Sequence, residues 1–403
     1  MTSADVPAIG QRLRELRRWR RLSQRVLGDR AGLSASFLSM VENGERSLER
    51  RSHLAALAAA LEVSVTDLTG EPYPIVRPGV SGAQERVPAI RDVLLNHSLD
   101  DPPDIPARPL DVLETQVRGP ILHAWRAANF SELTSWLPAV LGELHVHAAA
   151  SEEHTRVRGL RLLVEAAQTT GSCLKYLGHV DLAWIAAERA GQAAAALGDP
   201  VQIGAATFAR AHARPSASHA RRLTMAATAA DNLQPHLGGD VLAHQVYGML
   251  QLSAALAAVI RGDTHAAEGH AVEAGEVADR VGARPDAWQS FGPANVAVWR
   301  VLLAVEAGDS AAALEHAGKL RPAAIPSQVR RSAFFIEYGR AYAMHGGHDE
   351  PAVMMLRRAE RLSPDRVHHN VLVRELVSGM RARARRDAGG RELRGLAERM
   401  GVA

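Results

Sequence analysis

Apolar positions at helical spacing dominate the pattern along this chain. Near the N-terminus, short stripes with intervals of three or four residues predict short helices, the first of which carries Ile9, Leu13 and Leu16. From about Leu110 to the C-terminus the chain is rich in Ala, Leu and Arg, keeps the helical period and has almost no alternating β-branched runs. The sequence therefore predicts an all-α protein.

The pattern divides the chain into three zones. We predict an N-terminal domain over residues 1–70, a linker over 71–110 and a long helical domain over 111–403. The linker contains the stretches EPYPIVRPGVSG and DDPPDIPARP, whose prolines and glycines interrupt helices. Between these stretches, VPAIRDVLLNHSL has apolar residues at helical spacing and predicts one short helix.

Four segments of the long zone share one sequence frame, in which a turn glycine is followed five residues later by an alanine. These pairs are Gly178/Ala183, Gly262/Ala267, Gly308/Ala313 and Gly347/Ala352. A weaker copy without the glycine fits at Ala220 and Ala227. Glycine permits a tight turn, and a small residue lets a second helix cross the first closely. The frame predicts five or six irregular helical hairpins that form an α-solenoid, and the alternative is a generic Ala-rich bundle.

The most specific local signal is LSQRVLGDRAGLSASFLSMVENGERS, which begins at Leu22. Ser23 is a predicted N-cap of a short helix that Gly32 ends, and Ser34 is a predicted N-cap of a second helix that ends near Asn43. Two short helices joined by a glycine-containing turn are typical of the helix-turn-helix motif.

This segment and its flanks resemble the phage-repressor/Cro (XRE-type) helix-turn-helix domain in its five-helix form. The resemblance covers about 60 residues, from 9 to 70. It rests on Ser23-Gln24, Ala31-Gly32, Leu38-Ser39, Glu42-Asn43-Gly44 and Leu61-Glu62-Val63-Ser64. It implies that the domain binds double-stranded DNA with the second helix of the motif in the major groove.

The resemblance also assigns residues to the DNA interface. Gln24 would bond a phosphate and brace the recognition helix, while Arg17 and Glu42 would form an internal ion pair. The residues expected at the interface are Arg12, Arg20, Arg21, Ser23, Gln24, Ser34, Ala35, Ser36, Ser39, Met40, Asn43 and Arg46. The small residues at the reading positions offer hydroxyl and methyl contacts rather than a bidentate Arg–guanine pair.

Charge supports a polyanionic partner for the first domain. The net charge is +3, and residues 11–25 hold seven arginines against Glu15 alone. Each phosphate contact made by such a block releases counterions, although a solvated helix face is the alternative interpretation. Ser34 is expected to act mainly as a cap and Phe37 as core, and Met40 suits either core edge or groove.

A DNA-binding domain followed by repeats of this kind resembles bacterial one-component regulators, actinobacterial ones and peptide-sensing ones from Gram-positive bacteria among them. The helical zone itself resembles tetratricopeptide repeats, although the aromatic signature positions are mostly missing. The repeat frame suggests a peptide or small-molecule site lined by Tyr247, Gln251, Trp288, Gln289, Asn295, Trp299, Arg330 and Tyr338. The alternative is that Trp288 and Trp299 fill the core between repeats.

Other classes of function find little support in the sequence. The single cysteine, Cys173, excludes an internal disulfide, and we expect no metal and no cofactor, since His145 and His147 would point about 200° apart on a helix. No enzymatic motif is present, so an enzyme with a DNA-binding appendage is the least favoured hypothesis. Without a signal-peptide pattern or a long apolar run, we expect a cytoplasmic, nucleoid-associated protein with no membrane partner.

The leading hypothesis is a sequence-specific transcriptional regulator. One helix-turn-helix domain buries little surface, so we expect a homodimer on an inverted-repeat operator, modulated by an effector in the helical zone. The alternative is a helical-repeat scaffold for protein interactions that is tethered to DNA.

Overall fold

The computed structural model of the protein confirms the all-α fold. It describes residues 9–48, 50–70, 82–213, 219–346, 348–384 and 390–402. These residues form 22 α-helices, a π-helical turn at Val117–Ile121 and three short 3₁₀ turns, and none of them is in a strand.

Five short helices form the N-terminal domain, as the resemblance implies. They are α1 (Ile9–Trp19), α2 (Gln24–Ala31), α3 (Ala35–Glu42), α4 (Arg51–Leu61) and α5 (Val65–Thr69). Their apolar stripes meet in one core that contains Leu13, Leu27, Leu38 and Leu57, each with no exposed surface. The periodic apolar residues therefore point inward, as the spacing predicts.

The rest of the described chain is a succession of helices of 5 to 24 residues. They are α6 (Gly82–Asn96), α7 (Leu110–Gln116), α8 (Leu122–Arg126), α9 (Phe130–Ala148), α10 (Glu153–Tyr176), α11 (Val180–Leu197), α12 (Pro200–Ala213), α13 (His219–Leu233), α14 (Val241–Ile260), α15 (Thr264–Val281), α16 (Pro293–Ala307), α17 (Ser310–Lys319), α18 (Gln328–Met344), α19 (Asp349–Leu362), α20 (Pro364–His368), α21 (Val371–Ala384) and α22 (Arg391–Met400). Six consecutive pairs pack against each other: α10/α11, α12/α13, α14/α15, α16/α17, α18/α19 and α21/α22. The prediction of helical hairpins is confirmed.

The repeat frame corresponds to the turns within these pairs. Gly178, Gly262 and Gly308 each connect the two helices of a pair with φ between 85° and 88°, where a side chain would be strained. Ala183 and Ala313, five residues later, are fully buried at the helix crossings. Gly347, the glycine of the fourth pair, lies outside the described residues.

The helix predicted inside the linker is present as α6 and is packed into the repeat region. Ala83, Val87, Ile90 and Leu94 are buried, and α6 contacts α9 and α11. Most of EPYPIVRPGVSG, which precedes this helix, lies outside the described residues. The apolar stripe that predicted the helix therefore also attaches it to the longer domain.

Helix α14 lies at the centre of the repeat region. It contacts α12, α13, α15 and α16, and nearly every residue from Val246 to Ile260 is buried. Among the described residues it is the one helix whose length and composition would suit a membrane span, and 94% of the relevant window is buried inside the protein. Contact with four helices explains its uniformly apolar sequence.

The two ends of the repeat region meet. Helix α8 contacts α18, and the ring of His369 lies against Gly178 at the end of the first hairpin. The side chain of Gln84 on α6 bonds the backbone oxygen of Leu177 at 2.8 Å. Residues far apart in sequence are therefore brought around a common interior.

Candidate nucleic-acid interface

The turn between α2 and α3 is built from the caps that the sequence predicts. Ser23 Oγ accepts a hydrogen bond from the backbone N–H of Val26 at 3.2 Å, and Ser34 Oγ accepts one from Phe37 at 3.1 Å. Gly32 ends α2 in the left-handed conformation, with φ of 66°. The backbone geometry of a helix-turn-helix motif is thus specified locally.

Close backbone approaches fix α3 on the rest of the domain. A Cβ on Gly28 would lie 2.4 Å from the backbone oxygen of Leu33, and one on Gly10 would lie 2.0 Å from that of Val41. Only glycine at both positions lets α1 and α2 come this near to the segment that carries α3. The orientation of α3 is therefore set by backbone contacts as well as by the core.

An ion pair and an amide bond hold the end of α3. Arg17 of α1 donates to both carboxylate oxygens of Glu42, at 2.6 and 2.7 Å, and Gln24 Nε2 donates to the same carboxylate at 3.0 Å. Burial opposes ionisation of Glu42, but these bonds outweigh it and hold its pKa below the ordinary value. The structure thus has the internal ion pair that the resemblance implies.

The predicted reading face of α3 is open to solvent. Ser36 is exposed, and Ala35, Ser39 and Met40 are half-buried, because the opposite face of α3 carries the buried Leu38. The hydroxyl hydrogens of Ser36 and Ser39 would be available to acceptors on base edges. Three small side chains and one methionine therefore make up this surface.

The loop after α3 carries two of the predicted residues on its exposed side. Asn43 accepts a hydrogen bond from Arg14 at 2.6 Å, and the guanidinium of Arg46 lies 4.9 Å from the centre of the Phe37 ring. Phe37 also meets the ring of His53 edge-on at 5.2 Å. Phe37 is therefore packed within the domain, and Arg46 is held beside the reading face.

The arginines predicted on α1 and in the turn after it separate into two groups. Arg12 of α1 packs against Gly70, and Arg20, directly after α1, donates to the backbone oxygen of Glu62 at 3.0 Å, so both lie on the side that faces α5. Arg21 is exposed next to Ser23 at the start of α2. The helical rotation of α1 turns Arg12 and Arg20 away from α3, although the sequence places them near the motif.

One arginine that was not singled out also adjoins the reading surface. Arg25 is exposed directly after Gln24, at the N-terminal end of α2. Helix N-termini favour phosphate because their backbone N–H groups are free and their dipole is positive there. The arginine-rich stretch contained this signal, but charge alone did not distinguish Arg25 from its neighbours.

The start of α4 attaches the first domain to the repeat region. Arg51 forms an ion pair with Glu306 at the end of α16, and its backbone N–H donates to Glu306 Oε2 at 3.0 Å. Arg50 Nε donates to the backbone oxygen of Glu306 at 3.0 Å. Leu372 of α21 completes the core of the first domain. No pattern in the sequence indicates this junction.

Burial and two arginines shape the protonation of His53 near the junction. Burial is the main cause that lowers the pKa of His53 to about 4, and the positive charges of Arg50 and Arg46 add to it. His53 is therefore neutral at physiological pH.

Four of the eight residues proposed for an effector site are core residues. Tyr247 and Gln251 of α14 face α15, where they bond Glu273 at 3.2 Å and His270 at 2.6 Å. The periodicity placed α14 on an inner surface, but packing on four sides buries it. Both side chains therefore form contacts within one hairpin and do not line an open effector site.

Asn295 and Trp299 of α16 are buried as well, with exposed fractions of 0% and 4%. Asn295 Nδ2 donates to the backbone oxygen of Gln289 at 3.2 Å, and the ring of Trp299 meets His212 edge-on at 5.7 Å. Trp299 therefore fills the core between helices, which is the alternative that the sequence left open to a role in an effector site.

The other four effector candidates keep some exposure. Trp288, Gln289, Arg330 and Tyr338 are half-buried. Gln289 has a left-handed backbone with φ of 50°, and the hydroxyls of Tyr338 and Tyr342 lie 3.1 Å apart.

Comparison with known proteins identifies the first domain. Residues 8–69 match the family described as helix-turn-helix domain. The chain is 41% identical over 59 residues to an uncharacterised HTH-type transcriptional regulator, RghRB, of Bacillus subtilis strain 168. This match covers 15% of the present chain, which spans 42% of the length of that relative.

Two solved structures resemble longer parts of the chain at 13% identity. One is PlcR of Bacillus thuringiensis with the peptide PapR7 and DNA, which matches over 69% of this chain and 96% of its own, with a TM-score of 0.29. The other is ComR of S. thermophilus with DNA and its signalling peptide ComS, which matches over 93% and 99%, with a TM-score of 0.25. The caps, the Arg17–Glu42 pair and the family match together show that residues 8–69 are a helix-turn-helix domain.

Proposed function

We propose that the protein is a sequence-specific transcriptional regulator that binds double-stranded DNA through α2 and α3. The observation that carries this proposal is the exposed face of α3, held rigidly by the Arg17–Glu42–Gln24 network. Ser36 and Ser39 would contact base edges, and Ala35 would contact a thymine methyl group. Gln24 has a second amide hydrogen for a phosphate while the first bonds Glu42.

The reading surface of one chain is small, so the proposal includes a homodimer. Two copies of α3 would enter successive major grooves about one helical turn apart on an inverted repeat. The division into a reading domain over 1–70, a linker over 71–110 and a repeat region over 111–403 suits this arrangement, with α6 packed on the repeat region. The phosphate contacts would come from Arg21, Arg25 and Arg46.

The junction at Glu306 supports the modulation of DNA binding by an effector. Arg50 is the N-cap of α4 and Arg51 its first residue, and both bond Glu306 of the repeat region. A peptide or small molecule that shifted α16 would therefore shift the reading domain with it. We propose further that the protein is cytoplasmic and has no catalytic activity.

The test is a selection of bound sequences from random duplex DNA, followed by titration of the best site at two salt concentrations. We expect a short inverted repeat and an affinity that falls steeply with salt. Ser36→Ala should weaken binding to the selected site by about three- to tenfold, the worth of one hydrogen bond, and leave binding to random DNA unchanged. Ser151→Ala, an exposed serine in the repeat region, is the matched control.

The opposite outcome is equally informative. Salt-sensitive binding that shows no sequence preference and ignores Ser36→Ala would contradict the proposal. The reading domain would then act as a tether, and the repeat region would be a scaffold for other proteins.

A further inference from the structure

The start of α18 lies where the two ends of the repeat region meet. Val329 is buried in the same core as Leu174 and Leu177 at the end of α10, and α18 contacts α8. Ser327 Oγ caps α18 by accepting from the backbone N–H of Arg330 at 3.2 Å. The first turn of α18 contains no acidic residue. Its positive dipole end therefore faces this interior without a carboxylate of its own helix.

Two guanidinium groups lie at the first turn of α18. Arg330 belongs to the first turn of α18, and Arg366 of α20 donates to the backbone oxygen of Val329 at 3.1 Å. Both are half-buried, and neither forms an ion pair with a carboxylate among the described residues. Two like charges thus lie at the same turn of α18 without a carboxylate that would balance them.

An aromatic wall borders the two arginines. The guanidinium of Arg366 lies 4.3 Å from the centre of the Tyr176 ring, and Tyr176 stacks on Trp125 at 5.7 Å with ring planes 3° apart. Tyr176 is half-buried. The wall therefore offers a flat apolar surface beside the positive charges.

The surroundings of Arg330 disfavour its charge. Burial is the main cause that lowers the pKa of Arg330 to about 10, and the repulsion of Arg366 adds to it while Tyr176 opposes it. A negatively charged group beside the two guanidinium groups would offset this penalty, and arginine forks match the geometry of carboxylate and phosphate oxygens.

We propose that Arg330 and Arg366, with Tyr176 and Trp125 as an aromatic wall, bind an oxyanion group, carboxylate or phosphate, of a small effector. The inference rests on the effector part of the proposed function and narrows the ligand class. It is tested on the full-length protein without DNA, so its failure would leave DNA reading intact. A failure of DNA reading would likewise leave anion binding intact.

The experiment measures the thermal unfolding midpoint, Tm, with sodium phosphate or sodium acetate as the probe, each against sodium chloride at constant ionic strength. The proteins are the wild type, Arg330→Gln, Arg366→Gln and the control Arg261→Gln, an exposed arginine at the end of α14. The two arginine variants are independent, so a folding defect in one does not remove the test.

We expect a bound oxyanion to raise the Tm of the wild type and of Arg261→Gln, and to raise it much less in Arg330→Gln and Arg366→Gln. In chloride alone, Arg330→Gln should melt slightly above the wild type, because a repulsive charge is removed. A larger shift with acetate than with phosphate would identify a carboxylate ligand, and the reverse a phosphate ligand. Equal shifts in all four proteins, or no shift in any, would overturn the proposal.

Discussion

The two ends of α18 carry the same side chain in opposite electrostatic settings. Arg340, near the C-terminal end, is 2% exposed and forms ion pairs with Glu337 and with Glu306, the latter at 2.8 Å. Arg330, ten residues earlier, is half-buried and faces Arg366 instead of a carboxylate. Burial acts against both charges, but the two glutamates raise the pKa of Arg340 above its ordinary value.

The difference shows how burial of a charge relates to its role. The Arg340 cluster is electrically balanced, and through Arg51 it joins the reading domain to the repeat region. The Arg330 cluster is unbalanced, so its stability would improve when an anion binds. The cluster with equal numbers of positive and negative charges holds helices together. The two arginines without a carboxylate instead favour the binding of an anion.

The largest expected effect comes from Glu306→Gln, which keeps the shape of the side chain and removes its charge. Arg340 would stay buried with one carboxylate instead of two, and Arg51 would lose its partner. Removal of one member of a buried pair typically lowers the free energy of unfolding by about 3–5 kcal/mol. Urea denaturation measures the loss. Glu315→Gln, which changes an exposed carboxylate on α17, should leave the midpoint unchanged.

An unchanged urea midpoint in Glu306→Gln would break the comparison. The balanced cluster would then contribute nothing to stability, and the unbalanced one could not be distinguished from it by its energetics.

Acid sensitivity is the next largest effect. Burial would raise the pKa of Glu306, but Arg51 and Arg340 outweigh it and lower the pKa from 4.5 to about 2. Because the folded-state pKa is the lower one, this stabilisation is complete above about pH 4.5 and is lost as the pH falls toward 2. A shift of this size corresponds to about 3 kcal/mol.

The measurement is the urea midpoint of the wild type and of Glu306→Gln between pH 6 and pH 3. Glu360, whose pKa is also lowered to about 2, contributes in both proteins and cancels in the difference. The stability of the wild type should fall more steeply with acid than that of the variant. Parallel curves would show that Glu306 does not carry the dependence.

The smallest expected effect is that of Arg330→Glu. A carboxylate at this position would face Arg366 with opposite charge, so we expect the free energy of unfolding to rise by roughly 0.2–1 kcal/mol, the usual worth of a partly exposed pair. Arg340→Glu on the same helix should lower it strongly, because three carboxylates would then meet in the interior. Calorimetry in chloride buffer compares the two. A lower free energy of unfolding in both Arg330→Glu and Arg340→Glu would contradict the distinction between the two ends of α18.

Local sequence signals were sufficient for the reading domain. Ser23, Gly32 and Ser34 act through bonds to residues three or four positions away, so their types and spacing predict the turn directly. The Arg17–Glu42 pair joins residues 25 positions apart, and it was predicted through the family resemblance rather than through spacing.

The contacts of the repeat region are less predictable from the sequence than those of the reading domain. Helical periodicity shows that one face of a helix is apolar, but it does not show how many neighbours the helix has. Tyr247, Gln251, Asn295 and Trp299 were assigned to a lining, yet they are buried because α14 and α16 pack against helices on several sides. Tyr247 and Gln251 form hydrogen bonds with residues of α15 instead.

The sequence by itself determined the elements that depend on local bonds and on period: the helices, the glycine turns of the hairpins and the helix-turn-helix motif. Only the tertiary structure decided which charges meet. Arg51 lies 255 residues from Glu306, and Tyr176 lies 190 residues from Arg366. The physical reason is that Coulomb interactions and desolvation depend on distance in space, and in a closed helical array that distance is set by the sum of many small helix crossings.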